Sequence, residues 1–370
     1  MSVIAVVRGR DGGLLYPART EETIVTVSVD TEEDNWVPAR TGITLGNIRE
    51  LPRLDRWFGT LGVRPTYFTT YQVGVNARAA EILRDIMATG RSEIGAHLHP
   101  WNTPPLDEPF EPWLTMTENL TPALREAKIN RLTDLLASAL GRAPTTFRAG
   151  RFGLGSKAAA SLVRCGYQVD SSMTPFVDWR SYDGGPSHEY APMAMHWLGA
   201  DGRRCSSAEG RLIEMPISLG YTRAPFELWH RVHRAMSSRL VRPLRIVGAT
   251  SRLRLLEKVI LNPENDDTRS MVALARQLIA RGTGYLHFFF HSPSLIGGAS
   301  PYAPTRAAAQ GILATLEETL DRIHALTRVR FMTVAEAVAS MAPEFTSTVR
   351  GQAAGVPTTP ETQVSVRARV

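Results

Sequence analysis

Along this chain, short apolar runs of period two alternate with segments whose apolar residues recur every three or four positions. That alternation is the signature of repeated βα units around a mostly parallel sheet or barrel. The first strand is expected from Ile24 to Asp30, with Val25, Val27 and Val29 on one face, and it runs into the acidic cluster Asp30, Glu32, Glu33 and Asp34. A helix through Ile48, Leu51, Leu54, Phe58 and Leu61 follows, with Gly62 as its stop. Next come a strand from Pro65 to Thr69, a helix from Ala77 to Thr89 ended by Gly90, and a strand from Glu93 to His99.

Thr121-Pro122 combines an N-cap with a first-turn proline and opens a helix through Leu124, Ile129, Leu132, Leu136 and Leu140. Short strands are expected at Thr146 to Ala149 and Tyr167 to Asp170, around a helix starting at Ser156. Residues 176 to 265 then break the rhythm with loops, a strand from Leu212 to Pro216 and Arg-rich helices between Phe226 and Leu261, and are taken as a helical and loop insertion. The pattern resumes in a helix from Ser270 to Arg281, a strand from Tyr285 to His291, a helix from Thr305 to Leu326 and a strand from Val329 to Met332. Thr333 and Glu336 are spaced as a capping box for the last helix. Residues 1–20 are expected to be an N-terminal extension, 21–345 one barrel domain, and 346–370 a flexible tail.

Composition narrows the class. With 370 residues, 43% hydrophobic and 21% charged, the chain can bury a sizeable core, and global disorder is excluded. The net charge of +6 comes from Lys and Arg spread along the sequence. Without a basic block or an aromatic-interleaved basic stripe, nucleic acid is not the expected partner. Cys165 and Cys205 are too few for a disulfide framework or a zinc knuckle and fit a reducing compartment. Charges interrupt the N-terminal run where a secretory signal would continue, and no apolar stretch reaches membrane-spanning length, so a cytoplasmic location without a transmembrane segment is expected.

Parallel α/β folds gather their chemistry at the C-terminal ends of strands, so polar groups where apolar runs stop are the informative ones. His97-Leu98-His99 is the sharpest such feature: residues at i and i+2 of an extended segment share a face and can share one metal ion. Such a pair also arises by chance, and an acidic run after a strand is often a solvated loop. Asp30 and Glu32 have the same two-residue spacing, so one could ligate the metal while the other stays free as a base. Two imidazoles and a carboxylate suit zinc foremost, or cobalt, nickel or iron(II).

His291 ends the run Phe288-Phe289-Phe290 and precedes Ser292-Pro293-Ser294, which places an imidazole proton donor at a strand mouth, although a His in such surroundings is commonly a core residue. His287, four residues earlier, is expected to be structural. Arg148 could fix a base carboxylate and Asp170 could hold His291, or the two could pair with each other. Trp36, Trp101, Phe152 and Trp179 follow strands and could stack on sugar rings or simply pack their loops. His188, His196, His230 and His233 are expected to take no catalytic part.

The stretches Ser28-Val-Asp-Thr-Glu-Glu33, Glu93-Ile-Gly-Ala-His-Leu-His-Pro-Trp101, Phe147-Arg-Ala-Gly-Arg-Phe-Gly153, Val169-Asp-Ser-Ser172 and Phe289-Phe-His-Ser-Pro-Ser-Leu295, in this order, resemble the polysaccharide-deacetylase (NodB-homology) superfamily. The resemblance covers roughly residues 24 to 341. It implies an α/β fold, a distorted (β/α)7 barrel of the glycoside hydrolase and deacetylase type. It also implies a metal-dependent hydrolase that removes an acetyl or other acyl group from a carbohydrate substrate, an N-acetylated sugar of a polysaccharide, glycolipid or nucleotide-linked glycan. Carried over by position, Asp30 would be the general base, His97 a metal ligand, Arg148 the residue orienting the base, Asp170 the partner of the acid, and His291 the general acid. Thr31 stands where the family has a second aspartate, and Trp101 where it has a second ligand histidine. Glu32 and His99 are the candidates to take over those two ligand roles, with either Asp30 or Glu32 as the base. A glycoside-processing enzyme on the same barrel and a catalytically inactive carbohydrate-binding homologue are the alternatives.

Overall fold

The computed structural model describes residues 6–8, 14–17, 22–237 and 257–342. Expectations for the remaining residues, including the C-terminal tail and the Arg-rich stretch from 238 to 256, lie outside the described residues. The strands are β1 (Val6–Arg8), β2 (Leu14–Pro17), β3 (Glu22–Thr31), β4 (Pro65–Thr69), β5 (Glu93–Leu98), β6 (Thr146–Ala149), β7 (Val169–Asp170), β8 (Met195–Leu198), β9 (Leu212–Glu214), β10 (Leu219–Tyr221), β11 (Lys258–Ile260), β12 (Tyr285–His291) and β13 (Arg328–Phe331).

Seven of them run parallel in the order β12-β3-β4-β5-β6-β7-β9. The sheet curls until the residues after β9 reach β12, where Ser218 N donates to His287 O at 3.3 Å and the Tyr285 hydroxyl to Pro216 O at 3.2 Å. Closure by isolated bonds rather than a ladder makes this a distorted (β/α)7 barrel. β13 lies parallel beside the first half of β3.

Alternation along each strand sorts the residues into two layers. Val25, Val27 and Val29 of β3 and Leu286, Phe288 and Phe290 of β12 join the core under the helices, including Leu51, Leu54 and Phe58 of Leu51–Thr60. The opposite faces point into the barrel, where Ile24, Phe68, Val169, Ile213 and Tyr285 form a second cluster. In the barrel, Gly95 makes room: a Cβ there would lie 2.6 Å from both the Phe68 ring and Thr146 Oγ1. The helix Pro122–Leu140 begins with the Thr121 hydroxyl accepting from Leu124 N and stops at Gly141, whose φ of 74° is the left-handed end expected there. The capping box of Thr333 and Glu336 is present.

Two expectations are revised. Val6–Arg8 and Leu14–Pro17, expected to lack regular structure, pair as an antiparallel ribbon whose second strand joins β8. Leu212–Glu214, assigned to an insertion, is the seventh parallel strand of the barrel, pairing with β7. The strand itself is expected from the sequence, but the loops on either side of it hide its pairing with β7, which only the closed sheet shows.

Candidate active site

The ends of β3, β5, β6 and β12 and the loops that follow them converge on a cavity of about 590 Å³. Asp30, Glu32, His97, His99 and His291 line its floor. His97 and His99 turn to the same side, as their spacing on an extended segment requires, and meet Glu32: their Nε2 atoms lie 3.5 and 3.1 Å from its Oε2. One ligand atom from each of the three falls within 4.8 Å of the others, and all three residues are buried. Both imidazoles are held from behind. His97 Nδ1 is 3.1 Å from Arg148 O, and His99 Nδ1 is 2.8 Å from Glu33 Oε1. Such contacts fix ring orientation and leave both Nε2 atoms facing the carboxylate.

Close packing sets this geometry. Trp101 stacks on His99 at 4.1 Å between ring centroids. A Cβ at Gly150 would lie 2.8 Å from His99 Cδ2, so this position accepts only glycine without displacing the imidazole. Burial alone would raise the Glu32 carboxyl, but hydrogen bonds from His97 and His99 and the charge of His291 overcome it and hold Glu32 well below the usual carboxylate range. Burial likewise opposes a charged His99, and Glu33 and Glu32 outweigh it, pushing that imidazole up to about 10.

Beside this group, Asp30 and His291 are register partners on neighbouring parallel strands. Asp30 Oδ1 accepts from Arg148 Nη1 at 2.5 Å, while its Oδ2 is 3.8 Å from His291 Nε2. Arg148 is fully buried, lies over the Phe68 ring at 4.3 Å and donates through Nε to Ser171 O at 2.9 Å. His287 sits one step deeper and is not remote from the site: its Nε2 lies 3.3 Å from Arg148 Nη2 and 2.9 Å from Ser28 Oγ. Burial, with the Arg148 charge, pushes its pKa well below the ordinary value, so His287 is a neutral acceptor.

Asp170 is not the partner of His291. Val169 belongs to the barrel's inner cluster, so Asp170 points to the other face, in register with Phe147 and Glu214. There its carboxylate accepts from Ser172 N at 2.9 Å and Ser172 Oγ at 2.8 Å. Burial raises the pKa values of Asp170 and its neighbour Glu214, as expected of two carboxyl groups sharing a proton. The group that holds His291 is Glu264, whose Oε2 lies 2.7 Å from His291 Nδ1 and whose Oε1 accepts from His291 N at 3.2 Å and from Ser294 Oγ. Burial opposes charge on His291, but Glu264 foremost, then Glu32 and Asp30, push it up to about 10. Nothing local in Asn262-Pro-Glu-Asn-Asp-Asp267 marks Glu264, because acidic residues before a helix are ordinarily dipole charges. Glu33 was visible only as a member of the acidic cluster.

Trp36, Trp101, Phe152 and Trp179 all border the cavity. Arg151 and Phe152 do so with left-handed backbone, at φ of 55° and 53°. His188, His196, His230 and His233 lie outside the cavity lining.

No family model and no curated protein matches this chain. Its fold does match solved structures. A candidate polysaccharide deacetylase from Mycobacterium smegmatis aligns with 98% of this chain and 100% of its own, at 16% identity and a TM-score of 0.50. A structure described as that of a probable polysaccharide deacetylase from Pseudomonas aeruginosa PAO1 aligns over 88% and 92% at 14% identity and 0.48, and an allantoinase over 89% and 93% at 12% and 0.48. The chain has the polysaccharide-deacetylase type of fold. Among the described residues, no helix is long and apolar enough to cross a membrane.

Proposed function

We propose that this chain is a metal-dependent hydrolase that removes an acetyl or other acyl group from the nitrogen of an N-acylated sugar. One observation carries the proposal: two imidazoles from the end of β5 and a carboxylate from the end of β3 bring ligand atoms within 4.8 Å of one another, beside a held carboxylate and a held imidazole. The donor set fits a divalent cation, zinc foremost, then cobalt, nickel or iron(II), with Glu32, His97 and His99 as its ligands. When bound, such an ion would polarise the acyl carbonyl and acidify a water.

The remaining chemistry belongs to the protein. Asp30, oriented by Arg148, accepts a proton from water as the new C–O bond forms at the carbonyl carbon. His291, kept protonated by Glu264, gives its proton to the amide nitrogen as the C–N bond breaks. The amine and the carboxylic acid leave, and the proton on Asp30 passes back to His291 or to solvent. Glu32, drawn to two imidazoles, serves as a ligand, and Asp30 is the base.

Glycoside cleavage would need two carboxylates free to flank the bond, whereas here one is held by Arg148 and the other by His97 and His99. A cytoplasmic location, expected from the sequence, belongs to the same proposal.

The test is metal content of the purified protein together with acetate release from N-acetylglucosamine oligomers and glycosides. About one equivalent of divalent metal is expected, with turnover lost on chelation and lowered about 100- to 10,000-fold in His291→Ala. Turnover that ignores both the chelator and the substitution would overturn the mechanism.

A further inference from the structure

Resting on the proposed amide hydrolysis, the geometry points to a narrower substrate class: a single N-acylated sugar carrying a long apolar group, as in a glycolipid, and not a free polysaccharide. Among the described residues, nine large apolar side chains stand exposed. Four of them, Trp36, Val37, Phe110 and Tyr182, border the catalytic cavity, and two more, Leu106 and Trp113, lie within four residues of Phe110 along the chain. Four of the nine thus meet at one mouth. Aromatic rings alone would fit stacking on sugar faces, but Val37, 73% exposed, offers no ring for that role.

The polar groups of the wall carry the other half of the inference. A chain of sugars brings several hydroxyls per unit, and a site that binds it needs free donors and acceptors along its length. Here much of that capacity is engaged within the wall itself. Asn35 donates to Gly42 O and accepts from Thr44 N, each at 3.1 Å. Arg151 is bound to Thr115 Oγ1 and, at 2.7 Å, to Asp183. The Trp179 indole donates to Thr174 Oγ1 at 2.9 Å, and Glu111 accepts from the Trp113 indole at 2.6 Å. The hydroxyls of Tyr182 and Tyr302 and one oxygen each of Glu111 and Asp183 remain, which suffices for one sugar ring near the reacting amide but is sparse for a row of them. Beyond that ring the wall offers apolar surface.

The test uses the full chain and reads tryptophan fluorescence, because Trp36, Trp101 and Trp179 border the cavity. The probes are the methyl and octyl glycosides of N-acetylglucosamine, the octyl compound kept below its micelle concentration, and tetra-N-acetylchitotetraose. The octyl glycoside is expected to bind at least about tenfold more tightly than the methyl one. Chitotetraose should gain no comparable advantage, and the octyl preference should shrink several-fold in a Val37→Ser, Phe110→Ser double variant. Equal affinity for the two glycosides, or tightest binding of chitotetraose, would overturn the inference. So would a dimer in solution that the double variant dissolves, since a second copy would then be what covers the mouth. Acetate release, measured in parallel, separates this inference from its premise. Octyl preference without hydrolysis sinks the proposed reaction alone, and hydrolysis without octyl preference sinks the glycolipid assignment alone.

Discussion

Behind His291 stands Glu264, its Oε2 2.7 Å from Nδ1 and its Oε1 on the backbone N of the same residue. Glu264→Gln removes the charge that keeps His291 protonated, so kcat should fall about 10- to 100-fold. The protonated imidazole is the active form of the acid, and activity declines as pH rises through its pKa. Losing Glu264 lowers that pKa, so in a pH-rate profile the decline should begin at lower pH than in the wild type. Asp170→Asn, which touches the face away from the cleft, should leave that limb in place; movement in Asp170→Asn but not in Glu264→Gln would reverse the assignment. His97, His99, Asp30 and Glu32 were legible because a two-residue spacing on an extended chain fixes a shared face. Asp170 was misjudged because a strand of two residues gives no alternation from which to choose its face, and Glu264 because only the closed barrel brings it to His291.

The segment after β5 depends on one buried cation. Lys128, on the helix Pro122–Leu140, donates to Thr103 O at 2.7 Å and Pro105 O at 2.5 Å and pairs with Glu108 at 3.1 Å, while Arg40 binds the same carboxylate at 2.8 Å and Trp101 O at 2.9 Å. Lys128→Met would strip the Thr103 and Pro105 carbonyls of their donor and leave Glu108 to Arg40 alone, and unfolding in urea should show a loss of about 3 kcal/mol, far more than an exposed lysine costs. A loss below about 0.5 kcal/mol would mean that Arg40 alone secures the segment. Strands β3 to β5 and the helices Leu51–Thr60, Ala77–Ala88 and Pro122–Leu140 were readable because each carries enough residues to display its period. The ribbon of β1 and β2, and β8, were not, since three or four residues take their conformation from the partner strand, and β9 was readable as a strand but not as a member of the parallel sheet.

Across the whole molecule, buried neutral histidines tie folding to pH. His188 lies 2.7 Å from Leu154 O through Nε2 and accepts from Thr174 N, and His196 lies 3.0 Å from Ala194 O; burial pushes both down to about 4. As pH falls below about 6.5 the unfolded chain takes up protons that these residues refuse in the fold, so their contribution is full near neutrality and is lost between about 6.5 and 4, roughly 3 kcal/mol each. Urea midpoints of the wild type and of a His188→Gln, His196→Gln double variant should therefore converge on acidification, and parallel curves would refute the assignment. The pairing of β12 with β3 has a different kind of consequence. It seats the proposed proton acceptor and donor on residues directly opposite each other, their backbones one strand spacing, about 4.8 Å, apart. Side-chain replacement can silence either group or change its reach, but the backbone gauge beneath the pair stays that of two neighbouring strands.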